Sequence, residues 1–180
     1  MGIIGKGGNL GEFYTVTIED CYMFSGAAAG CLRLVDSSSA TSRMVTYVAQ
    51  RNILRSGHST NGGNNIYLED CAAGSKFVNN LVDHGGTAVN ITLSTVDVLH
   101  NTIVNDPAAT GKVGISVNDG GSYAINIFNN IISGVDTGMQ ATSNFSNVAV
   151  DYNVVNAKVT QLDAEMTGRA GTNNLLSTDP

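Results

Sequence analysis

Apolar residues recur along this chain with a period of two, and the pattern repeats. It is clearest at 125–132, where a strand-like segment leads to an asparagine and a second strand-like segment follows. The equivalent anchor positions, separated by 31, 28, 21, 29 and 23 residues, are Cys21, Asn52, Asn80, Asn101, Asn130 and Asn153. Repeats of this length that cannot bury an apolar face alone must stack on one another.

Three further positions in each repeat are almost wholly apolar. The residues three before the anchor are Ile18, Ala49, Phe77, Val98, Ile127 and Val150. Those five before it are Val16, Tyr47, Ser75, Val96, Ile125 and Val148. Those two after it are Met23, Leu54, Val82, Ile103, Ile132 and Val155. A spacing of two belongs to strands and not to helices, so the pattern predicts two strands joined at a corner.

Asparagine suits such a corner for two physical reasons. It tolerates the left-handed backbone conformation that a tight bend needs, and its side-chain amide can bond the nearby backbone. Stacked asparagines can also bond one another along the axis. Cys21 interrupts this series at its first member.

A third strand in each repeat follows a glycine or a small polar residue. These strands are predicted at 32–34, 66–68, 89–91, 115–117 and 139–141. Three strands per repeat, with an asparagine corner, resemble the right-handed parallel β-helix of the pectate-lyase-like superfamily over residues 13–156. The resemblance implies an all-β fold of about six coils. It selects no activity, because that fold hosts lyases, hydrolases, epimerases, phage tailspikes and adhesins.

The repeat also sets the expected organisation of the chain. We expect a glycine-rich lead-in at 1–12, the β-helix at 13–156, and an irregular C-terminal segment or cap at 157–180. Helix-favouring residues at 161–166 predict a short helix in that cap. The repeat begins close to the first residue and the chain stops at Asp179-Pro180, so we interpret the sequence as a segment of a longer protein.

Composition narrows the classes of partner. The net charge is −6, charged residues make up 13%, and lysine and arginine form no run, so we expect no nucleic-acid partner. No signal peptide and no transmembrane run is evident, and we expect no membrane partner. The three cysteines, Cys21, Cys31 and Cys71, lack zinc-site spacing. They are either small buried or loop side chains, or two of them form one disulfide.

The first candidate site is the outward row of the third strands. Alternation of inward and outward residues places in one column Arg33, Tyr67, Asn90, Ser116 and Gln140. A column of hydrogen-bond donors with an aromatic ring predicts a sugar-binding surface, and Lys112 is a further candidate substrate-binding residue. The alternative is that these are ordinary polar residues on an outward strand face.

The second candidate is a set of loop residues that follow the anchors. The set contains His58, Asp83, His84, Asp106 and Asp136. We predict His58, Asp83 and His84 as proton-transfer residues in sugar chemistry. Arg55 and Lys112 are candidates to neutralise a uronate carboxylate. The alternative is a set of ordinary turn residues.

The third candidate is a calcium site. Asp36, Asp70 and Asp119 each stand two residues after an inward strand position, and with Glu69 they offer hard oxygen ligands to Ca²⁺. Aspartates that cap turns explain them equally well, and no other cofactor is expected. His100 stands next to the anchor Asn101 and is interpreted as a corner residue rather than a catalyst.

Two functions follow as hypotheses. The first is a carbohydrate-directed module, secreted, on a cell surface or on a virion, that binds a polysaccharide; the sequence leaves open whether it also cleaves the polymer as a lyase or hydrolase. The second is a structural fibre, spike or adhesin segment without catalysis, which assembles as a homo-oligomer or by end-to-end stacking. Catalytic signatures of the pectin hydrolases, mannuronan epimerases and calcium pectate lyases are missing, which motivates the second hypothesis.

Overall fold

A computed structural model describes residues 2–5, 14–26, 30–36, 45–56, 63–83, 86–106, 110–118, 123–142 and 147–178. Over these residues the protein is all-β with one short helix. Its strands pair in parallel within two sheets. None of the helical residues in the described ranges forms a helix long and apolar enough to cross a membrane.

The elements follow one another along the chain. In order they are β1 (Gly2–Gly5), β2 (Tyr14–Glu19), β3 (Tyr22–Ser25), β4 (Leu32–Asp36), β5 (Val45–Gln50), β6 (Ile53–Ser56), β7 (Asn64–Glu69), β8 (Ser75–Val78), β9 (Leu81–Asp83), β10 (Thr87–Thr92), β11 (Val96–Leu99), β12 (Thr102–Val104), β13 (Val113–Asn118), β14 (Ile125–Phe128), β15 (Ile131–Ala141), β16 (Val148–Asp151), β17 (Val154–Leu162), α1 (Ala164–Thr167) and β18 (Leu175–Thr178).

The strands stack into three columns. The first column is β2, β5, β8, β11, β14 and β16. The second is β3, β6, β9 and β12, then the first residues of β15 and β17, then β18. The third is β1, β4, β7, β10 and β13, then the later residues of β15 and β17. The chain visits the columns in turn and then returns to the first, so we call the strands of one such circuit a rung.

The register of the first column reproduces the predicted repeat. Phe77 lies opposite Ala49 and Val98, which are 28 and 21 residues away in sequence. Ile127 lies opposite Val98 and Val150, which are 29 and 23 residues away. These are the intervals between the sequence anchors, so the predicted alignment of the parallel strands is confirmed.

The core lies between the three columns. Ala49, Phe77 and Ile127 of the first column and Leu54 and Ile132 of the second are all 0% exposed. The third column contributes Ile66, Val89 and Ile115, which are equally buried. Burial of apolar surface at each rung is the main force that holds such a stack together.

The corner between the first and second columns differs from the expectation in one respect. The left-handed residue precedes the anchor: the residues with φ between 54° and 58° at this corner are Asp20, Arg51, Asn79, His100, Asn129 and Tyr152. The prediction that the anchor asparagines adopt this conformation was wrong. The anchors Asn52, Asn80, Asn101, Asn130 and Asn153 are buried instead, because their amides are used for hydrogen bonds.

The buried anchors form a hydrogen-bonded ladder. At each step the Oδ1 atom of one asparagine accepts bonds from the backbone N–H and the Nδ2 of the preceding one; for Asn101 and Asn130 these distances are 2.9 and 3.1 Å. The Nδ2 of Asn130 also donates to the carbonyl of Val98 at 2.9 Å. Cys21 holds the first position, where its backbone N–H donates to Oδ1 of Asn52. The predicted bonding along the axis is confirmed.

The ladder and the strands continue past residue 156, where the predicted domain boundary had placed their end. Asn153 donates to Oδ1 of Asn174, and β18 pairs with the start of β17. The predicted irregular segment 157–180 therefore contains strand residues. It also contains the helix α1, whose N-cap Asp163 accepts a bond from the backbone N–H of Met166. Within the predicted lead-in, β1 lies parallel to β4.

Candidate functional site

The predicted outward row of the third column is aligned residue by residue. Arg33 lies opposite Tyr67, Tyr67 opposite Asn90, Asn90 opposite Ser116, and Ser116 opposite Gln140. Arg33 is exposed, whereas Tyr67, Asn90 and Gln140 are half-buried. Ser116 is only 3% exposed, so little of its surface is open to a ligand.

Arg33 contacts both Tyr67 and Glu69. Its guanidinium carbon is 5.1 Å from the centroid of the Tyr67 ring, a distance typical of a cation–π contact. One of its nitrogens is 3.2 Å from Oε2 of Glu69. The positive charge of Arg33 is therefore partly balanced by Glu69 before any ligand binds.

A second outward row, two residues further along each strand, is joined to the first by hydrogen bonds. Nδ2 of Asn118 donates to Oδ1 of Asn90 at 2.9 Å, and Oγ1 of Thr142 donates to Oδ1 of Asn118 at 2.6 Å. Nε2 of Gln140 donates to Oγ of Ser116 at 3.2 Å. We call the two rows together the polar face; its residues are Arg33, Tyr67, Glu69, Asn90, Thr92, Ser116, Asn118, Gln140 and Thr142.

Asp83, one of the candidate acid–base residues, has an ionic partner. Nε of Arg55 is 3.2 Å from Oδ2 of Asp83, so these two candidate residues pair with each other across adjacent rungs. His58 and His84 lie outside the described residues, and their pairing with Asp83 stays a prediction. Asp106 is half-buried beside Asn105, whose Oδ1 accepts a bond from its backbone N–H.

Asp136 and Lys112 occupy a connection between the second and third columns. Partial burial opposes the ionisation of Asp136, but the backbone N–H of Lys112 and the ammonium group of Lys158 outweigh it, so the pKa of Asp136 is lowered. Asp136 lies in β15, and its carboxylate therefore holds the backbone at Lys112 of the preceding rung. Lys112 is 2% exposed, which does not fit the expectation that it holds a polymer at the surface.

Two of the three candidate calcium ligands lie in the described residues, Asp36 at the end of β4 and Asp70 directly after β7. Asp36 is 1% exposed and its Oδ2 accepts a bond from the backbone N–H of Val45 at 3.1 Å. Asp70 has a left-handed backbone, with φ of 54°, and Asp119 lies outside the described residues. The described residues include no group of three or more His, Cys, Asp or Glu arranged to hold a metal ion. The calcium site stays a prediction.

The cysteines and His100 match the structural alternatives. All three thiols are free; Cys21 is exposed, while Cys31 and Cys71 are buried. Burial is the largest influence on Cys31 and raises the pKa of its thiol. His100 is exposed at its corner with φ of 56°.

Sequence reasoning missed an outward row on the second column. It consists of the residue directly after each anchor, and neighbours in the row lie opposite one another. We call it the apolar stripe; its residues are Tyr22, Ile53, Leu81, Thr102, Ile131, Val154 and Leu175. This position is apolar in every repeat except that of Thr102, so the row could be detected in the sequence. The apolar positions that predicted the core were all inward ones.

The site therefore has two faces of opposite character on adjacent strand columns. The polar face offers amides, hydroxyls, an aromatic ring and one partly neutralised cation. The apolar stripe offers exposed aliphatic and aromatic side chains. No protein family model, no curated protein and no solved structure matches this chain.

Proposed function

We propose that this chain is a module of a right-handed parallel β-helix that binds an extended neutral polysaccharide along the polar face. Three strand columns visited in turn, with parallel pairing between successive circuits, support the β-helix. Crossover connections between parallel strands are almost always right-handed, which supports the hand. A module of this kind works where polysaccharides are displayed, so we place it on a secreted protein, a cell surface or a virion.

The single observation that carries the binding function is the alignment of the polar face. Five rungs present it, and successive rungs stand about 4.8 Å apart, so the face is about 19 Å long. Its amides and hydroxyls can both donate and accept, as sugar hydroxyls do, and the ring of Tyr67 offers stacking area. Side chains already bonded to one another lose less entropy when a ligand binds.

The charges favour a neutral polymer over a polyuronate. Arg33 is paired with Glu69, and Lys112 is buried. The chain has a net charge of −6, so its field repels a polyanion at low ionic strength. A polymer with one acid group in each binding segment remains compatible with Arg33, but a fully acidic one is disfavoured.

Binding is tested by affinity electrophoresis through gels that contain β-glucan, xylan, galactomannan or polygalacturonate. We expect retardation by at least one neutral polymer, and a loss of about tenfold or more in affinity on Tyr67→Ala or Gln140→Ala. Lys76→Met is the matched control, because Lys76 is exposed on the first column. Retardation by polygalacturonate alone contradicts the neutral substrate, and equal retardation of all variants contradicts the face.

Cleavage is a separate question with its own assay. Reducing ends are measured after incubation with each polymer, together with absorbance of an unsaturated product. New ends with the chromophore indicate a lyase, and new ends without it a hydrolase. In either case we expect Asp83→Asn to lower the rate, and an unchanged rate removes Asp83 from the candidate catalytic residues.

A second candidate function is the structural rod. The observation that favours it is the apolar stripe, because a soluble protein rarely exposes a continuous apolar row without a partner. The two functions are compatible, since the stripe and the polar face lie on different strand columns.

A further inference from the structure

One amide of the polar face belongs to a motif that polymer binding does not require. Asn90-Ile91-Thr92 is an acceptor sequence for asparagine-linked glycans, in which any residue except proline separates asparagine from threonine or serine. We propose that Asn90 is a glycosylation site and carries an oligosaccharide on its Nδ2 atom. The proposal goes beyond polymer binding and rests only on the secreted or cell-surface location proposed above, because these glycans are added to secreted proteins.

The position of Asn90 in the fold exposes it on the correct side of the strand. It stands in β10 between Val89 and Ile91, which are both 0% exposed, and alternation along the strand directs its side chain outward. Asn90 and Thr92 are both half-buried on the polar face. A glycan is bulky and polar, and an outward strand position lets it extend into solvent without entering the core.

The hydrogen bonds of Asn90 leave its nitrogen unused. Its Oδ1 atom accepts from Oγ1 of Thr92 at 3.2 Å and from Nδ2 of Asn118 at 2.9 Å. Within the described ranges, Nδ2 of Asn90 donates to no other group. The two accepted bonds hold the oxygen side of the amide, so the nitrogen side is left for attachment. A glycan on Nδ2 therefore breaks no hydrogen bond between described residues.

The anchor asparagines have the opposite arrangement. Nδ2 of Asn101 donates both to Oδ1 of Asn130 and to the carbonyl of Phe77, so neither of its hydrogens can be replaced without loss of a buried bond. The chain has a second acceptor sequence at Asn144, followed by a phenylalanine and a serine, and it lies outside the described residues. Asn90 is therefore the acceptor asparagine whose surroundings the structure describes.

The transfer step has a defined balance of bonds. A bond forms between Nδ2 of Asn90 and the anomeric carbon of the first sugar. The bond from that carbon to the pyrophosphate of a lipid-linked oligosaccharide breaks, Nδ2 loses one proton, and the lipid pyrophosphate leaves. The product is a neutral amide that keeps its Oδ1 atom, so the bonds from Thr92 and Asn118 can persist.

Glycosylation has a consequence for the polar face. Tyr67 and Ser116 lie opposite Asn90 on the two adjoining rungs, at a strand spacing of about 4.8 Å. A glycan attached between them occupies the surface along which the polymer is proposed to bind. The glycosylated form should therefore bind that polymer at least tenfold more weakly than the unmodified form.

The test is expression of the full chain in cultured animal cells behind a cleavable signal peptide. Peptides from the medium and from the cell lysate are analysed by mass spectrometry before and after treatment with peptide:N-glycosidase, which leaves an aspartate at each glycosylated site. We expect a glycan on the peptide that contains Asn90. Asn90→Gln and Thr92→Val should abolish it, and Thr92→Ser should keep it, because serine preserves the acceptor sequence. Asn126→Gln is the matched control, since Asn126 is a half-buried amide outside any acceptor sequence.

Two results overturn the proposal: a chain without a glycan in both fractions, and a glycan found only at Asn144. Circular dichroism melts compare the glycosylated chain with the Asn90→Gln variant, and a cooperative transition at a similar temperature is expected. Loss of that transition in the glycosylated chain alone contradicts a site that the fold accommodates.

Affinity electrophoresis separates this proposal from the proposed function. The unmodified chain is produced in the bacterial cytoplasm and compared with the glycosylated one in the same polymer gels. If no polymer retards the unmodified chain, polymer binding is wrong while the glycan at Asn90 stands on its mass. If both forms are retarded equally, the glycan does not occupy the polar face.

Discussion

At each asparagine corner two consecutive residues have different roles. The first adopts the left-handed conformation and exposes its side chain, so types as different as Arg51 and Tyr152 are accepted there. The second turns its amide inward, where the neighbouring rungs need both its donor and its acceptor. Only the second role requires asparagine, and this explains why that position is asparagine from Asn52 onward while the other position varies.

Asn101→Ala tests the ladder at its middle. The change removes the acceptor for the backbone N–H of Asn80 and the donor to the carbonyl of Phe77, both of which become buried and unsatisfied. We expect the free energy of unfolding to fall by about 3 kcal/mol, measured by urea denaturation. The control is Asn126→Ala, which removes a half-buried amide bonded to Asp97 and should cost less than about 1 kcal/mol. Equal losses in the two variants contradict a special role for the ladder.

The three free cysteines should differ in reactivity. Cys21 is exposed, whereas Cys31 and Cys71 are buried and the pKa of Cys31 is raised by burial. Since the thiolate is the reactive form, we expect Cys21 alone to react quickly with a thiol reagent in the native protein, and all three to react in denaturant. Cys21→Ser should abolish the fast phase. A native protein without three titratable thiols contradicts the free state of the cysteines.

At the scale of the elements, the third column needs glycine where two of its paired strands approach each other most closely. A Cβ atom on Gly114 would lie 2.5 Å from the carbonyl oxygen of Gly138 and 2.6 Å from Cγ2 of Ile132. The distance between rungs is fixed by hydrogen bonds along the whole stack, so the strands cannot separate locally to make room.

Gly114→Ala should therefore destabilise the protein by about 1–3 kcal/mol through overpacking. Gly168→Ala is the matched control, because its nearest neighbours would be 3.6 Å away and its φ of −66° suits any residue. The control should leave the free energy of unfolding unchanged or raise it by up to about 1 kcal/mol. Thermal and urea unfolding measure both changes, and a neutral Gly114→Ala contradicts the tight approach at this column.

The Asp151 carboxylate binds Asn173 of the last rung, and the stability that this contact adds depends on pH. Its carboxylate accepts bonds from the side chain and backbone of Asn173 and from the backbone N–H of Tyr152, which lower its pKa in the folded state. A group whose folded pKa is lowered stabilises the fold above its unfolded pKa and loses that effect as the pH falls through the folded pKa. We therefore expect the segment 171–178 to loosen below a pH of about 3.8, the ordinary pKa of an aspartate.

Hydrogen exchange of that segment, corrected for the intrinsic pH dependence, measures the effect. Asp151→Asn should show weak protection at about pH 6 and no further loss at about pH 2.5, while the wild type changes between the two. Asp97→Asn, on the first column of a central rung, should behave as the wild type at 171–178. A pH-independent wild-type segment contradicts the role of the carboxylate.

At the scale of the whole molecule, the strands of each described rung pair with those of the rungs directly before and after it. Among the described strands, those of the end rungs, β2, β3 and β18, each pair with one neighbour only. Accordingly Val16 and Met23 are half-buried at one end, and Leu176 is 48% exposed at the other. We expect amide exchange to be slowest in β8, β11 and β14 and fastest in β2, β3 and β18. Mass spectrometry of peptides from each rung measures this gradient, and uniform protection contradicts it.

Much of this arrangement could be predicted from the sequence because buried positions carry apolar residues at regular intervals. Phe77, Val98 and Ile127 share one environment, so the sequence repeats one residue class at one offset from the anchor. The left-handed position shows no recurring residue class, because its side chain is exposed and can vary. The rung of Asn174 was missed because it is followed by only one short strand. The Arg55–Asp83 pair was missed because it depends on how two rungs align outside the core.

The side-chain hydrogen bonds of the asparagine ladder give the stack a direction along its axis. From Asn52 to Asn153, each anchor amide donates from its nitrogen to the Oδ1 atom of the following rung, and its own oxygen accepts from the preceding rung. The same nitrogen also donates to a backbone carbonyl of the preceding rung. The bonds between side chains therefore all run in one sense along the axis, as the N–H to C=O bonds of an α-helix do. Each bond also polarises the next one, so the row behaves as a single cooperative chain. A rung inserted upside down would set oxygen against oxygen, so the stack can extend in only one orientation.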